Sequence, residues 1–260
     1  TFLGGDSSIK IQSMLNLPAE DIRGSVAQAE ALERAGCEII RTAVPDMKSV
    51  ALIEALKNAV GIPVVADIHF DYRLALAAVD AGADKIRINP GNIGDDGRIK
   101  AVADKCRGAG VPIRIGVNSG SVEKELLKKY GGPTPEALAM SAIKNAKLLE
   151  KFDFNDIVIS IKSSDVRNTY AANIEVAKMC DYPLHLGVTE AGTELSSAIK
   201  SSAALGGLLL SGIGDTVRIS ITGDPVREVV CAKELLKSLG LKKGGVTFVS
   251  CPTCGRTKID

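Results

Sequence analysis

Tryptophan is absent from this 260-residue sequence and aromatic residues make up only 3% of it, so no aromatic and basic interleaving marks a nucleic-acid surface. Charge of one sign is also missing in excess. The 32 Lys and Arg face 31 Asp and Glu, which removes the electrostatic case for a nucleic acid or an anionic membrane as partner. No apolar run reaches the ~18 residues of a membrane span, and no basic-then-apolar leader opens the chain. The expectation is a cytoplasmic protein. Its length is close to the ~250 residues of an α/β barrel, which favours one large domain.

Cysteine is sparse as well. Six in 260 residues, scattered, do not make a secreted disulfide framework. Cys37, Cys106, Cys180 and Cys231 fall in or beside helix and strand patterns and read as small buried side chains. Cys251 and Cys254 differ, because they form Cys-Pro-Thr-Cys-Gly near the end of a chain that has no initiator Met. That combination reads as a piece of something longer. Cys-x-x-Cys fits half of a zinc site, a redox pair or part of an iron-sulfur ligand set, and spacing alone favours zinc.

Strand and helix patterns alternate from end to end, the sequence form of a parallel sheet built from βα units. Eight strands are predicted, over 9–14, 38–44, 64–69, 85–89, 113–118, 156–162, 184–189 and 216–222. Helices are predicted over 22–35, over 135–151 with Thr134 as N-cap, and after Asp224 up to Gly240. Eight such units fit a closed (β/α)8 TIM barrel better than a doubly wound sheet. Gly212-Ile213-Gly214 precedes a strand and reads as a turn, not as a dinucleotide fingerprint.

In a barrel the outward face of each strand packs on helices, so the other face looks into the lumen. In the stretch Lys85 to Asn92, Ile86 and Ile88 go outward, while Lys85, Arg87 and Asn89 go inward, before Pro90-Gly91-Asn92 makes a turn. The other strands agree. Gln12, Arg41, Asp67, His69, Arg114 and Asn118 point inward, as do Ser160, Lys162, His185, Thr189, Arg218 and Ser220. Arg41, Arg87 and Arg114 each follow an Ala-Gly helix end by four or five residues, a weak internal repeat that punctuation does not explain.

Four Arg and one Lys converging on Asp67 are too many unpaired cations for a buried axis, since each costs several kcal/mol. The pattern predicts a compact polyanion at the C-terminal mouth, gripped through phosphate oxygens. The competing reading is an internal ion-pair network completed by loop acids such as Asp165, Asp215 or Glu190. His69 and His185, both inward, with Asp67 beside the first, suit acid/base or positioning work. Glu190 follows the seventh strand at the end where barrel enzymes place their chemistry.

Several long motifs then coincide with one family. Ile11-Gln-Ser-Met14, Arg41 with Val44-Pro45-Asp46, Val65 to Arg73 and Lys85 to Asn92 resemble the flavodoxin- or ferredoxin-dependent 4-hydroxy-3-methylbut-2-enyl diphosphate synthase family. The similarity continues through Ile113 to Asn118, Lys129 to Pro135, Leu184 to Thr193, Gly212 to Ser220 and Ser250 to Thr257. The resemblance implies a TIM barrel over 1–242, then 243–260 as a linker and the truncated start of an iron-sulfur domain. It implies an oxidoreductase of non-mevalonate isoprenoid synthesis. Such enzymes reductively open a cyclic diphosphate and remove a hydroxyl, with two electrons passed singly by a [4Fe-4S] cluster.

Carried over by motif, Arg41, Arg87, Asn89, Arg114, Asn118, Lys162, Arg218 and Ser220 would hold substrate, with Asp67, His69 and Glu190 near the reacting carbons. Cys251 and Cys254 would be two cluster ligands, flavodoxin or ferredoxin the electron donor, and a homodimer the assembly. This stretch alone is expected to bind a diphosphate without holding an intact cluster or turning over. One departure is Leu15-Asn16-Leu17-Pro18, where the family has a polar Thr-Asn-Thr, which bears on any substrate contact from the first loop. Two other readings are a Schiff-base aldolase using Lys162 at the end of the sixth strand, and a phosphate-ligand binding barrel.

Overall fold

The computed structural model of the protein describes residues 3–5, 7–244, 246, 249–251 and 253–256. The first half runs β1 (Lys10–Met14), α1 (Ile22–Arg34), β2 (Ile39–Ala43), α2 (Val50–Ala59), β3 (Val64–Asp67), α3 (Tyr72–Asp80), β4 (Lys85–Ile88), α4 (Pro90–Ile93) and α5 (Asp96–Ala109). The second half runs β5 (Ile113–Asn118), α6 (Lys124–Tyr130), α7 (Pro135–Glu150), β6 (Ile157–Lys162), α8 (Val166–Met179), β7 (His185–Leu186), α9 (Glu194–Leu210), β8 (Thr216–Val217) and α10 (Pro225–Ser238).

The strands are all parallel in the order β6-β5-β4-β3-β2-β1-β8-β7. A parallel bridge between Ile159 and Leu184, with the Ile159 N–H on the Pro183 carbonyl at 2.9 Å, brings β6 and β7 together and rounds the sheet into a barrel. The (β/α)8 architecture predicted from the alternation is therefore the one observed. Helix starts follow the predicted chemistry. The Thr134 hydroxyl accepts from the Ala137 N–H at 3.3 Å, and the Asp224 carboxylate accepts from the Val226 N–H at 2.9 Å.

Periodicity sorts the strand residues as expected. Ile11, Ile40, Val64, Ala66, Ile86, Ile88, Ile113 and Ile115 lie in the apolar layer between sheet and helices. Ile39, Val65 and Val158 stand outside that layer. They line a cavity of about 650 Å3 at the N-terminal end of the barrel, with Lys85 among its walls.

Three details depart from the sequence reading. The last two strands are much shorter than predicted, two residues each. Beyond β8 the Ile221 N–H donates to the Glu228 side chain at 3.2 Å, so a carboxylate takes the place of a neighbouring strand. The stretch after β4, read as a turn, is the one-turn α4, with Asn89 as its N-cap accepting from Gly91 N–H at 3.1 Å. A further short helix, α6, precedes α7 on the same connection.

Candidate active site

The strand register stacks the lumen in layers. Val65 lies beside Lys85, and one pleat higher Asp67 lies beside Arg87, which lies beside Arg114. Higher still, Gly116 meets Ser160 and Asn118 meets Lys162. The basic side chains therefore rise toward the C-terminal mouth of the barrel. There Arg41, Arg87, Arg114, Asn118, Lys162, Arg218 and Ser220 line one small cavity of about 90 Å3, together with Gly116, Val117, Ser160 and Thr189.

Asp67 anchors one wall. It is 1% exposed, with the Arg87 Nη1 on Oδ1 at 3.0 Å and the Arg41 Nε 3.4 Å from Oδ2. Burial alone would raise its pKa, but Arg41, Arg87 and Arg114, with His69, more than reverse this and hold the carboxyl at about 2. His69 sits above it, its side chain half exposed, with Nε2 3.9 Å from Asp67 Oδ2.

A second part of the wall is anchored by an acid that the alternation does not reveal. Glu228 on α10 is 2% exposed and takes Arg218 Nη2 at 2.8 Å and Nε at 3.1 Å. The loop acids considered from sequence are elsewhere. Asp165 caps α8 through the Asn168 N–H at 2.7 Å, and Asp215 accepts the Leu184 N–H at 2.7 Å. The Met14 sulfur faces Arg41 Nε at 3.1 Å and Arg218 Nη1 at 3.9 Å. A soft thioether is a weak acceptor and supplies no charge.

At the mouth, two basic side chains have no acid partner among the described residues. Arg114 is 2% exposed, and its Nε and Nη2 are buried with no hydrogen-bond partner among the described residues. Burial and then the neighbouring Arg41 and Arg87 push its pKa far down. A guanidinium nevertheless keeps its proton, so the uncompensated charge remains as a positive field. The Lys162 amine is pushed well down as well, by burial first and then by Arg41, Arg218, Arg114 and Arg87. Arg41 is lowered to about 10 by burial, against the pull of Asp67. His185 lies deeper, its Nδ1 2.7 Å from Thr216 Oγ1 and its Nε2 without a partner among the described residues, and burial followed by Lys162 and Arg114 pushes its pKa well down.

Two glycines make room for this arrangement. A Cβ at Gly116 would stand 2.7 Å from Arg87 Cζ, and one at Gly187 would stand 2.7 Å from both Lys162 Nζ and the Arg218 carbonyl. Periodicity marks these positions as inward but not as places where bulk is excluded.

Asn89 and Glu190 are placed apart from the cavity wall. Asn89 is buried and caps α4. Glu190 is exposed just past β7 and holds φ at 51°, the left-handed region that non-glycine residues rarely adopt. In the first loop the Asn16 amide lies between Gln28 and the Gly223 carbonyl, 3.0 Å from the latter, tying β1 to the segment after β8.

Cys251 and Cys254 are exposed, and the backbone N–H and side chain of Arg256 lower the Cys254 thiol. Among the described residues no three His, Cys, Asp or Glu side chains are grouped to hold a metal ion. The pair fits as two thiolate donors and not as a whole ligand set. No described helix is long and apolar enough to cross a membrane.

Fold and site together define a (β/α)8 barrel with a strongly basic C-terminal mouth, the end at which barrels of this class carry their chemistry. Solved structures agree on the fold alone. Dihydropteroate synthase from Stenotrophomonas maltophilia superposes with a TM-score of 0.65 at 15% identity, covering 90% of this chain and 93% of that one. Sequence comparison is more specific. Residues 1–233 match the GcpE TIM-barrel domain. The 4-hydroxy-3-methylbut-2-en-1-yl diphosphate synthase (flavodoxin) of Caldanaerobacter subterraneus subsp. tengcongensis is 56% identical over 99% of this chain and 73% of its own length. That of Caldicellulosiruptor saccharolyticus is 54% identical over 100% of this chain and 74% of its own length. The chain belongs to this family of diphosphate synthases.

Proposed function

We propose that the barrel binds 2-C-methyl-D-erythritol 2,4-cyclodiphosphate and takes part in its reductive opening to 4-hydroxy-3-methylbut-2-enyl diphosphate. The observation that carries this reading is the charge of the mouth. Arg41, Arg87, Arg114, Lys162 and Arg218 converge on one cavity, and the described acids at hand there are Asp67 and Glu228. A diphosphate supplies the missing negative charge, and the unpartnered Nε and Nη2 of Arg114 offer it two charge-assisted hydrogen bonds. Asn118 and Ser220 add neutral donors to the same cavity.

The chemistry needs two electrons and releases one oxygen as water, so the departing hydroxyl must gain a proton. His69 and Glu190 are the rim groups assigned to that transfer, with Asp67 orienting the imidazole. The strained φ of Glu190 supports a functional role, because such a backbone costs about 1–3 kcal/mol and persists where the surroundings hold it. Cys251 and Cys254 are assigned as two ligands of a [4Fe-4S] cluster, which supplies single electrons when bound. Flavodoxin, named for the relatives, is the assigned donor, and a homodimer is the assembly proposed with it.

Titration with inorganic pyrophosphate, followed by thermal unfolding, tests the binding step. A saturable rise in Tm is expected, as for any ligand of the native state alone, and a markedly smaller rise in Arg114→Gln. Indifference to pyrophosphate overturns the reading.

A further inference from the structure

The proposed diphosphate site uses Arg218 as one of its grips, yet Arg41, Arg87 and Arg114 repel it from the same cavity. Something must hold its guanidinium over the mouth against that field. The holder is Glu228, whose two oxygens each accept two donors. Oε1 takes Arg218 Nη2 at 2.8 Å and the Ile221 N–H at 3.2 Å, while Oε2 takes Arg218 Nε at 3.1 Å and the Ser13 hydroxyl at 2.7 Å. The donors come from β1, from the residue directly after β8 and from the loop beyond it. The acceptor comes from α10, and all four bonds are buried or partly buried.

This geometry has a direction. A carboxylate on the Nε and Nη2 edge of an arginine leaves Nη1 pointing the other way. Here Nη1 lies on the Met14 side, where Arg41 Nε also reaches the same sulfur. Arg218 lines the cavity, and among the described residues its one acid partner is Glu228 on the Nε and Nη2 edge.

We infer that Glu228 is the positioning residue that aims Arg218 at the bound diphosphate, a role resting on the proposed function above. It touches neither substrate nor reacting atoms, and it acts through Arg218. Its carboxylate also ends β8 by capturing Ile221, so the residues after the strand are fixed by a side chain instead of a ladder.

Two physical effects of removing its charge have opposite signs, and this makes the inference decidable. If Glu228 only adds negative potential near the mouth, Glu228→Gln strengthens anion binding. If it aims Arg218, the same change weakens it. Pyrophosphate binding is measured by calorimetry at ~0.15 M salt on the wild type, Glu228→Gln, Arg218→Gln and the double variant. The expected result is about a tenfold loss of affinity for Glu228→Gln, or about 1.4 kcal/mol, and less than a further twofold loss when it is added to Arg218→Gln.

Glu228→Asp keeps the charge but shortens the arm. It is expected to lose affinity as well, and it carries the test should Glu228→Gln not fold. A wild type that ignores pyrophosphate overturns the proposed function. A wild type that binds, with Glu228→Gln or Glu228→Asp binding as tightly or more tightly, overturns the role of Glu228 alone.

Discussion

Gly116 lies directly against the guanidinium of Arg87, whose Nη2 donates to the Gly116 carbonyl at 3.3 Å. A methyl group there would stand 2.7 Å from Arg87 Cζ, closer than packed atoms approach. Gly116→Ala is therefore expected to push Arg87 off Asp67 while leaving the barrel folded. Overpacking of this kind costs about 1–3 kcal/mol. The check is a modest fall in Tm by calorimetry together with a loss of pyrophosphate affinity several times larger than that of a surface control.

Asp67 links the same arginine to pH. Its pKa is about 2 in the folded chain against the ordinary 3.8. A carboxyl held below its unfolded value stabilises above that value, and the stabilisation fades as pH falls from about 4 to 2. The contribution is about 2 kcal/mol by linkage. Asp67→Asn leaves Arg41 and Arg87 without their acid and is expected to destabilise by about 3–5 kcal/mol at neutral pH. Denaturant melts at pH 7 and pH 3 should show the variant losing less than the wild type over that interval. Pyrophosphate should restore part of the deficit.

Lys85, at the N-terminal end of the lumen, acts in the same direction in a higher pH window, but because its charged form is disfavoured by the fold. Burial, and then Arg114, lower its amine from 10.5 to about 7. The unfolded chain binds the extra proton between those values, so this group makes stability rise with pH from 7 upward, by up to about 1.4 kcal/mol per unit. Lys85→Met is expected to raise Tm at pH 6 and to flatten the slope between pH 7 and 9. An unchanged slope would show that another group sets it.

The cysteines should separate by reactivity. Burial raises Cys37 to about 11 and Cys106 to about 12, whereas Cys254 is lowered by Arg256 and exposed. Iodoacetamide at pH 7.5, read by mass spectrometry, is expected to label Cys254 and then Cys251 in the native protein. Cys37 and Cys106 should label only after denaturation. Early labelling of Cys37 would contradict the packing around β1 and β2.

The sequence by itself determined the barrel and most of the polar lining. Period-two alternation over Lys85–Ile88, Ile113–Asn118 and Ile157–Lys162 assigns each side chain to one of two faces, and that assignment survives any detail of packing. Local pattern also places Thr134 and Asp224 at their helix starts. What it could not reach was contact between distant elements. Glu228 stands beside Val229 and Val230 with no local signal for its partners, and only the docking of α10 on β1 brings it to Ser13, 215 residues away along the chain, as well as to Arg218. Nor does alternation say how high a residue stands in the lumen. The position of Lys85 at the start of its strand already puts it low, and register bears that out, but the tertiary structure decided that Asn89 caps a helix and that Arg114 is left with two buried nitrogens without a partner among the described residues. Charge compensation is a sum over all neighbours in space, so it became legible only once the tertiary structure fixed who those neighbours are.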